Sequence, residues 1–254
     1  MPAPINPFKK ALREGKRQIG CWAGFADPYA TEIVGTAEFD WLVIDGEHAP
    51  NDIRSLMAQL AVLDGKHSHP VVRLPVGNDW LIKQALDIGA QTLLIPMVET
   101  ADQARGLVRA SLYPPHGIRG SGAALARASR FSDIPDYVKT ANEQILVIPQ
   151  VETAKGIQNL DEILKVDGIE AVFIGPSDLA ADMGFLGDTS QQPVQDAIQS
   201  AIKTIAAAGK APGILAVEDA AARRYADWGA QFVAVGIDVV MLAKAARTAM
   251  ANWR

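Results

Sequence analysis

Eight short runs of apolar residues recur along the chain, separated by longer segments that mix apolar and polar positions. Each run has the length of a β-strand, and a nearly continuous apolar run is typical of a strand covered on both faces in a parallel sheet. The runs cover residues 19–25, 40–45, 70–75, 91–96, 144–151, 170–175, 211–216 and 231–236.

The segments between these runs have the apolar spacing of helices, most clearly residues 52–65 and 79–90. The first opens on Asp52, a residue type favoured at helix N-caps, and both contain a glycine where the helix should end. Eight strands that alternate with helices predict either a closed barrel or an open, doubly wound sheet.

Motif and length favour the closed barrel. No Gly-x-Gly-x-x-Gly motif follows the first run, which weakens a dinucleotide-binding open sheet. The chain has 254 residues, close to the size of one TIM barrel, about 250 residues. We therefore predict an α/β protein with a single domain over residues 1–254, a (β/α)8 TIM barrel. The longest interruption, residues 113–136, is expected to be a functional or mobile loop.

The composition narrows the choice of partners. Hydrophobic residues make up 49% and charged residues 21% of the chain, the net charge is −5 and the pI is about 5.4. This balance argues against nucleic acid or an acidic membrane surface as a partner. No apolar stretch reaches the roughly 20 residues of a membrane helix. The absence of a signal-peptide pattern and the single cysteine, Cys21 in an apolar run, predict a cytoplasmic protein with an inert, buried thiol.

Ionisable side chains follow several of the predicted strands. Asp45 ends the second run and Arg73 lies in the third, while Glu152 follows the fifth and Asp178 the sixth. A TIM barrel builds its active site from the carboxyl ends of its strands, so these groups are expected to gather at one rim. Carboxylates, an arginine and a cation in one site would neutralise one another and remove the cost of isolated buried charges.

Glu152 and Asp178 are the predicted metal ligands. Two carboxylates from neighbouring strands, without cysteine or a second histidine nearby, suit a hard divalent cation such as Mg²⁺, Mn²⁺ or Co²⁺. Alternatively, each carboxylate caps the helix that starts beside it. No lysine ends a strand, and Lys155 falls in the first turn of a helix. This disfavours a Schiff-base mechanism and favours a metal as the electron sink.

His48 and Arg73 are the candidates for proton transfer and anion binding. His48 follows Asp45, whose carboxylate could orient the imidazole; the alternative is a surface histidine in a turn. The Arg73 guanidinium can grip a carboxylate in a bidentate fork and stabilise an enolate. It can also form an ion pair inside the barrel with Asp45 or Glu47.

At these residues the sequence resembles the HpcH/HpaI family of class II pyruvate aldolases. The motifs that carry the likeness spread over nearly the whole chain: IDGEHAP (44–50), RLP (73–75), LIPMVET (94–100), YPPHGIRGSG (113–122), IPQVET (148–153) and IGPSDLAADMG (174–184). The nearest resemblance is to 4-hydroxy-2-oxoheptanedioate aldolases and 2-keto-3-deoxy sugar-acid aldolases. It implies a metal-dependent barrel that cleaves 4-hydroxy-2-oxo acids to pyruvate and an aldehyde, assembled as a hexamer of two trimers that exchange their last helix.

The resemblance also implies roles for individual residues. Glu152 and Asp178 would bind the divalent metal. Arg73 would hold the pyruvyl oxygen, and His48 with Asp45 would serve proton transfer. The pocket for pyruvate would be lined by Gln150, Gly175, Pro176 and Ser177.

Other residues have weaker assignments. In the family pattern, Asp87 is an acidic catalytic residue that reaches a neighbouring subunit's site. Leu215, Phe185 and Leu186 lie near the ends of the sixth and seventh strands, where they either contact the aldehyde or pack beneath the loops. Arg119, among glycines in the 113–136 loop, is either a second anion site or a flexible loop residue.

Two rival functions use the same rim. A phosphoenolpyruvate-type lyase or mutase would share the metal and the enolate, but it would usually need a reactive cysteine or more phosphate-binding groups. A barrel that only binds a small acid, as a sensor, would need the rim residues for binding alone. Release of pyruvate from a 4-hydroxy-2-oxo acid separates these possibilities.

Overall fold

Eight parallel strands form a closed barrel in the computed structural model, which describes residues 1–254. The strands are β1 (Gln18–Ala23), β2 (Trp41–Asp45), β3 (His69–Arg73), β4 (Thr92–Ile95), β5 (Leu146–Val151), β6 (Ala171–Ile174), β7 (Ala211–Leu215) and β8 (Phe232–Ile237). Each strand pairs with its sequence neighbours, and β8 pairs with β1 to close the barrel. The predicted (β/α)8 barrel is confirmed.

Helices and short 3-10 turns fill the connections between the strands. The helices are α1 (Pro7–Arg13), α2 (Pro28–Gly35), α3 (Ile53–Val62), α4 (Asp79–Asp87), α5 (Ala101–Ser111), α6 (Tyr137–Thr140), α7 (Ala154–Gln158), α8 (Leu160–Leu164), α9 (Pro176–Asp182), α10 (Gln192–Ala207), α11 (Asp219–Trp228) and α12 (Asp238–Ala251). The 3-10 turns are Ala123–Leu125, Arg127–Ser129 and Ala141–Gln144.

Capping residues set the ends of the two helices that the sequence predicts most clearly. The Asp52 carboxylate accepts hydrogen bonds from the backbone N–H groups of Arg54 and Ser55, at 2.9 and 2.8 Å, and so caps α3. Helix α4 is followed by Gly89, whose φ of +110° lies in the left-handed region that glycine adopts without strain. Asp52 therefore caps the start of α3, and a glycine follows the end of α4, as the sequence predicts.

Aromatic side chains close the amino-terminal end of the barrel. The Phe8 ring, from α1, lies 5.6 Å from the Trp41 ring and 5.7 Å from the Phe232 ring, measured between centroids. His69 stacks on Phe8 at 5.8 Å. His69 precedes the third apolar run, residues 70–75, but it is the first residue of β3 and is buried. The barrel is therefore accessible from its carboxyl end alone.

The 113–136 loop is anchored by a buried arginine. The Arg119 side chain has no exposed surface, its Nη2 donates to Asp87 Oδ1 at 2.8 Å, and its guanidinium lies 4.4 Å from the Tyr113 ring centroid. Because Asp87 ends α4, this cluster lies at the amino-terminal end of the barrel. The prediction of a flexible side chain at Arg119 is wrong, because the side chain is buried and paired with the Asp87 carboxylate. The second anion site stays a prediction.

Helix α12 differs from the other long helices because it leaves the barrel. Asp238 is its only buried residue, and the Asp238 carboxylate accepts a hydrogen bond of 2.8 Å from the backbone N–H of Gly24. Beyond this anchor the apolar side chains of Val240, Met241 and Leu242 are exposed. None of the helices combines the length and apolar character needed to cross a lipid bilayer.

Candidate active site

A cavity of about 430 Å³ opens at the carboxyl ends of the strands. Nine residues predicted from the sequence line it: Asp45, His48, Arg73, Gln150, Gly175, Pro176, Ser177, Asp178 and Leu215. Six others complete the wall: Trp22, Gly24, Ala49, Phe173, Ile237 and Val239. The closed barrel thus brings residues that are far apart in the sequence to one rim.

The Arg73 guanidinium is held by two carboxylates. Its Nε and Nη2 donate to Asp45 Oδ1 and Oδ2 at 2.8 and 2.6 Å, and its Nη1 lies 2.8 Å from Glu47 Oε2. The guanidinium also lies 5.1 Å from the Trp22 ring centroid. Burial opposes ionisation of Asp45, but the hydrogen bonds and positive charge of Arg73 outweigh it and hold the Asp45 pKa below its usual value.

His48 sits at the mouth of the cavity with 68% of its side chain exposed. Asp45 does not contact the imidazole: its carboxylate accepts from the backbone N–H of His48 at 3.3 Å. The ring lies nearer to Glu47, with 3.8 Å between Nε2 and Oε2. The expectation that Asp45 orients the ring directly is corrected, because Arg73 occupies that carboxylate. Asp45 positions the histidine through the backbone.

Glu152 is a buried carboxylate with neutral partners. It is 2% exposed, its Oε1 accepts from the backbone N–H of Met97 at 2.8 Å, and its Oε2 accepts from the side-chain amide of Gln150. Burial raises the Glu152 pKa above its ordinary value, and the nearby negative charges of Asp178 and Glu47 act in the same direction. A cation beside Glu152 would remove this penalty.

The turn from β6 into α9 brings Asp178 towards Glu152. The Gly175 N–H donates to the Val151 carbonyl at 3.1 Å, and a side chain at Gly175 would collide with the Glu152 carboxylate. Asp178 is exposed in the first turn of α9. Neither acid is a helix cap, because Thr153 caps α7 and Asp178 makes no capping hydrogen bond.

The donor set fits one hard divalent cation. Glu152 and Asp178 offer carboxylate oxygens, and the buried Oε1 of Gln150 has no hydrogen-bond partner. The structure contains no group of three or more His, Cys, Asp or Glu side chains arranged to hold a metal ion. A cation held by these two acids would therefore complete its coordination with water or substrate oxygens, as Mg²⁺ commonly does.

Several predicted residues lie away from the cavity. Asp87 is paired with Arg119 at the opposite end of the barrel. Phe185 packs against the outer core and Leu186 is exposed, and neither lines the cavity. Lys155 pairs with Glu99 at 2.9 Å, outside the cavity.

Sequence reasoning underrated two residues of the site. Glu47 is considered only as a structural partner of Arg73, yet it lies beside both Arg73 and the His48 ring. Trp22 lies inside an apolar strand, and it is neither ionisable nor at the end of that strand, which are the two features that identified the other site residues. The two-residue alternation that turns Trp22 into the barrel was the signal available for it.

Comparisons with known proteins agree with this architecture. Residues 18–245 match the family model described as HpcH/HpaI aldolase/citrate lyase. A hydroxypyruvate/pyruvate aldolase of Roseovarius nubinhibens is 69% identical over 254 residues, covering 100% of this chain and 99% of that protein. A 4-hydroxy-2-oxo-heptane-1,7-dioate aldolase of Salmonella dublin is 55% identical over 249 residues, covering 98% of this chain and 94% of that protein.

A solved structure shows the same fold. The crystal structure of an HpcH/HpaI aldolase/citrate lyase family protein from Burkholderia cenocepacia superposes with a TM-score of 0.95 at 40% identity, covering 98% of this chain and 100% of that one. Fold and site together define a TIM-barrel enzyme with its acidic residues and arginine at the carboxyl rim. The chain belongs to the HpcH/HpaI aldolase/citrate lyase family, and within it to the aldolases, which are lyases.

Proposed function

We propose that this protein is a divalent-metal-dependent pyruvate aldolase that reversibly cleaves 4-hydroxy-2-oxo acids to pyruvate and an aldehyde. The observation that carries the proposal is the carboxylate-held guanidinium of Arg73 in one cavity with Asp178, next to the buried Glu152, whose carboxylate bonds to Gln150 of the cavity wall. The names of the relatives support pyruvate or a close analogue as the product.

Arg73 is suited to hold an anionic 2-oxo acid. A guanidinium has five N–H donors. Its Nε and Nη2 each donate one hydrogen bond to Asp45, and Nη1 lies 2.8 Å from Glu47 Oε2 as an ion pair. The N–H groups that make no hydrogen bond remain for the substrate, in an orientation that the Asp45 carboxylate fixes. Because these partners pin the guanidinium before substrate binds, it can stabilise negative charge on the pyruvate enolate without reorganising.

Glu152 and Asp178 would hold the metal ion. A bound divalent cation acts as a Lewis acid and lowers the cost of charge on the keto oxygen by several kcal/mol. The Gln150 amide and the Met97 backbone N–H orient the Glu152 carboxylate, and Gly175 leaves room beside it. Pro176 and Ser177 line the neighbouring wall of the pyruvate pocket.

His48 handles the proton. In the cleavage direction, it takes the proton of the C4 hydroxyl, directly or through a water molecule. The C3–C4 bond then breaks, C4 leaves as the aldehyde carbonyl, and the electron pair remains on the pyruvate enolate. Protonation at C3 yields pyruvate. The imidazole suits this role because its ring nitrogens can both accept and donate a proton. Leu215 lies at the aldehyde end of the pocket.

The active protein is a homo-oligomer in which α12 packs on a neighbouring subunit. Val240 and Leu242 of α12 are exposed within the single chain, and Asp238 is the only buried residue of this helix. A groove beside α11 is lined by the apolar residues Ile19, Ala222, Ala226, Val233 and Val235, together with the charged residues Arg17, Asp219, Arg223 and Asp227. A helix exchanged between subunits would bury both surfaces. The family resemblance favours a hexamer, and Asp87 would then serve a neighbouring subunit's site.

The rival functions have less support. Burial raises the pKa of the Cys21 thiol to about 12, so it carries no thiolate for a cysteine-dependent lyase or mutase. The decisive experiment is a coupled assay for pyruvate release from a panel of 4-hydroxy-2-oxo acids, with Mg²⁺, Mn²⁺ and Co²⁺. Metal-dependent release supports the aldolase. Binding of pyruvate without release from any member of the panel would identify a sensor instead.

A further inference from the structure

An acidic residue is buried behind the wall of the active-site cavity, where β8 meets α12. Ile237 and Val239 line the cavity, but Asp238 between them does not, and it is only 3% exposed. Gly24, the residue after β1, also lines the cavity, and its backbone N–H donates to Asp238 Oδ1 at 2.8 Å. The Asp238 carboxylate therefore joins two segments of the cavity wall.

Regular pairing between β1 and β8 breaks down at this point. Gly20 pairs with Ala234, but Trp22 pairs with Ile237, so β8 contains one residue more than β1 over this interval. An irregularity of this kind disrupts the hydrogen-bond ladder locally. No backbone carbonyl accepts a hydrogen bond from the N–H group of Gly24. The end of β1 therefore depends on a side chain for its attachment to β8.

The Asp238 carboxylate provides that attachment. Its Oδ1 accepts hydrogen bonds from the backbone N–H groups of Gly24 and Val239, at 2.8 and 2.6 Å, and its Oδ2 accepts from that of Phe25 at 3.4 Å. A carboxylate has two acceptor oxygens, whereas an asparagine amide has one. Apolar packing alone would not place a carboxylate here, because burying one among neutral partners is costly.

The attached segments form the side of the cavity that faces Arg73. The Trp22 ring lies 5.1 Å from the Arg73 guanidinium, and Trp22 pairs with Ile237 across the two strands. Arg73 itself is held by the Asp45 carboxylate. Asp238 therefore fixes the wall against which the guanidinium lies, and not the guanidinium itself.

We propose that Asp238 is a positioning residue for the aldolase reaction. Its carboxylate holds the end of β1 against the start of α12, and so fixes the side of the pyruvate pocket formed by Trp22, Ile237 and Val239. This inference rests on the proposed function, because it takes the cavity at Arg73 as the pyruvate site. Asp238 acts through these wall residues and does not touch the substrate.

The test measures KM and kcat for the deuterium exchange of pyruvate. Asp238→Ala removes all three hydrogen bonds and should raise KM about fivefold, a factor typical of one net hydrogen bond. The value of kcat should change by less than about twofold, because Arg73 and the metal-binding acids keep their contacts. A purely structural role would instead lower the fraction of active protein, and hence kcat, and leave KM unchanged.

The conservative variant Asp238→Asn keeps one acceptor oxygen for the Gly24 N–H. Its KM should rise by a smaller factor, about twofold. This variant also carries the test if Asp238→Ala does not fold. A KM equal to that of the wild type in both variants would overturn the proposal.

The matched control is Asp40→Ala. Asp40 Oδ2 also accepts from a backbone N–H of β1, that of Ile19 at 2.7 Å, but Ile19 lies at the amino-terminal end of this strand. Asp40→Ala should therefore leave KM for pyruvate unchanged. A rise in KM equal to that of Asp238→Ala would show a general loss of stability, and the proposal would fail.

Sedimentation velocity separates an effect on the cavity wall from an effect on assembly, because α12 starts at Asp238. Asp238→Ala should sediment as the wild type does. If it dissociates, and Leu242→Asp raises KM by the same factor, Asp238 acts through assembly and the proposal is overturned. If Leu242→Asp dissociates the protein without raising KM, the role of Asp238 in the wall is supported.

Binding of pyruvate in the presence of Mg²⁺, followed by saturation-transfer NMR, separates this proposal from the proposed function. Exchange and cleavage could both be absent while pyruvate binds Asp238→Ala about fivefold more weakly than it binds the wild type and Asp40→Ala. The positioning role would then stand and the aldolase proposal would fail. If exchange occurs but Asp238→Ala binds pyruvate as tightly as the wild type, the positioning role fails alone.

Discussion

Asp45 and Arg73 occupy matching positions on β2 and β3, and two hydrogen bonds of 2.8 and 2.6 Å join their side chains. Both side chains are buried at the floor of the active-site cavity. This pairing neutralises the guanidinium and fixes its plane before substrate binds. The same ion pair therefore contributes to the stability of the fold and to the orientation of the guanidinium.

Removing one member of this pair should destabilise the fold. Asp45→Ala leaves the buried guanidinium with Glu47 alone, and loss of one partner of a buried pair typically costs about 3–5 kcal/mol. Urea unfolding at a fixed protein concentration measures the change in the free energy of unfolding. The double variant Asp45→Ala/Arg73→Met should recover much of the loss. A single variant as stable as the wild type would contradict the structural role of the pair.

Arg73→Ala should abolish both aldol cleavage and the exchange of pyruvate protons with solvent. Both reactions pass through the enolate, and loss of a preorganised stabilising donor typically costs about 10²–10³ in rate. Arg73→Lys keeps the charge but lacks the fork, so it should recover little activity. NMR in deuterium oxide measures the exchange. Exchange at the wild-type rate in Arg73→Ala would remove Arg73 from enolate stabilisation.

Chelation should remove activity, and added Mg²⁺, Mn²⁺ or Co²⁺ should restore it. Glu152→Gln and Asp178→Asn should weaken metal binding at least about tenfold, because each replaces a charged ligand with an amide. Isothermal titration with Mn²⁺ gives the affinity directly. Asp161→Asn, an exposed acid on α8, is the matched control and should bind metal as the wild type does. Full turnover by metal-free protein would refute the ligand assignment.

His69 should make the protein less stable in acid. Burial lowers the pKa of His69 to about 3, whereas an exposed histidine in the unfolded chain titrates near 6.5. Between these values the unfolded state binds the proton and the folded state does not. The free energy of unfolding should therefore fall by up to about 1.4 kcal/mol for each pH unit from about 6.5 towards 3.

The variant His69→Gln tests this effect because glutamine can still bond to Thr92, the partner of the His69 ring at 2.9 Å. Denaturation midpoints of the two proteins should converge as the pH falls, since other groups titrate equally in both. The exposed His67 provides the control, and His67→Gln should retain the full acid dependence of the wild type. Parallel curves for His69→Gln and wild type would contradict the prediction.

The exposed face of α12 should control assembly. Leu242→Asp places a charge on that face, where it would be buried by a neighbouring subunit, and should dissociate the oligomer. Sedimentation velocity measures the change. Lys244→Asp also adds a carboxylate to α12 but replaces a side chain that is already charged, and it should preserve the oligomer. A wild-type protein that sediments as a monomer would end the proposal.

The sequence predicts the strands because both faces of each are covered, which leaves an uninterrupted apolar run such as residues 40–45. The same logic gives the caps of α3 and the rim positions of Arg73 and Glu152, since strand ends in a barrel share one edge. It fails for Arg119, because a glycine-rich segment has the composition of a loop whether or not tertiary contacts bury its side chains. Local sequence does not encode that burial.

By itself, the sequence determined the barrel and the identity of the residues that reach its rim, because strand periodicity and strand ends are local properties. Only the tertiary structure decided which partner each of those side chains contacts. Asp45 bonds to Arg73 and not to the His48 ring, and Glu152 lies buried beside Gly175. It also separated Asp87 from the cavity. Such contacts depend on the distances between strands and loops, which are fixed when the barrel closes. They also compete, because a carboxylate that bonds to one side chain is no longer available to another.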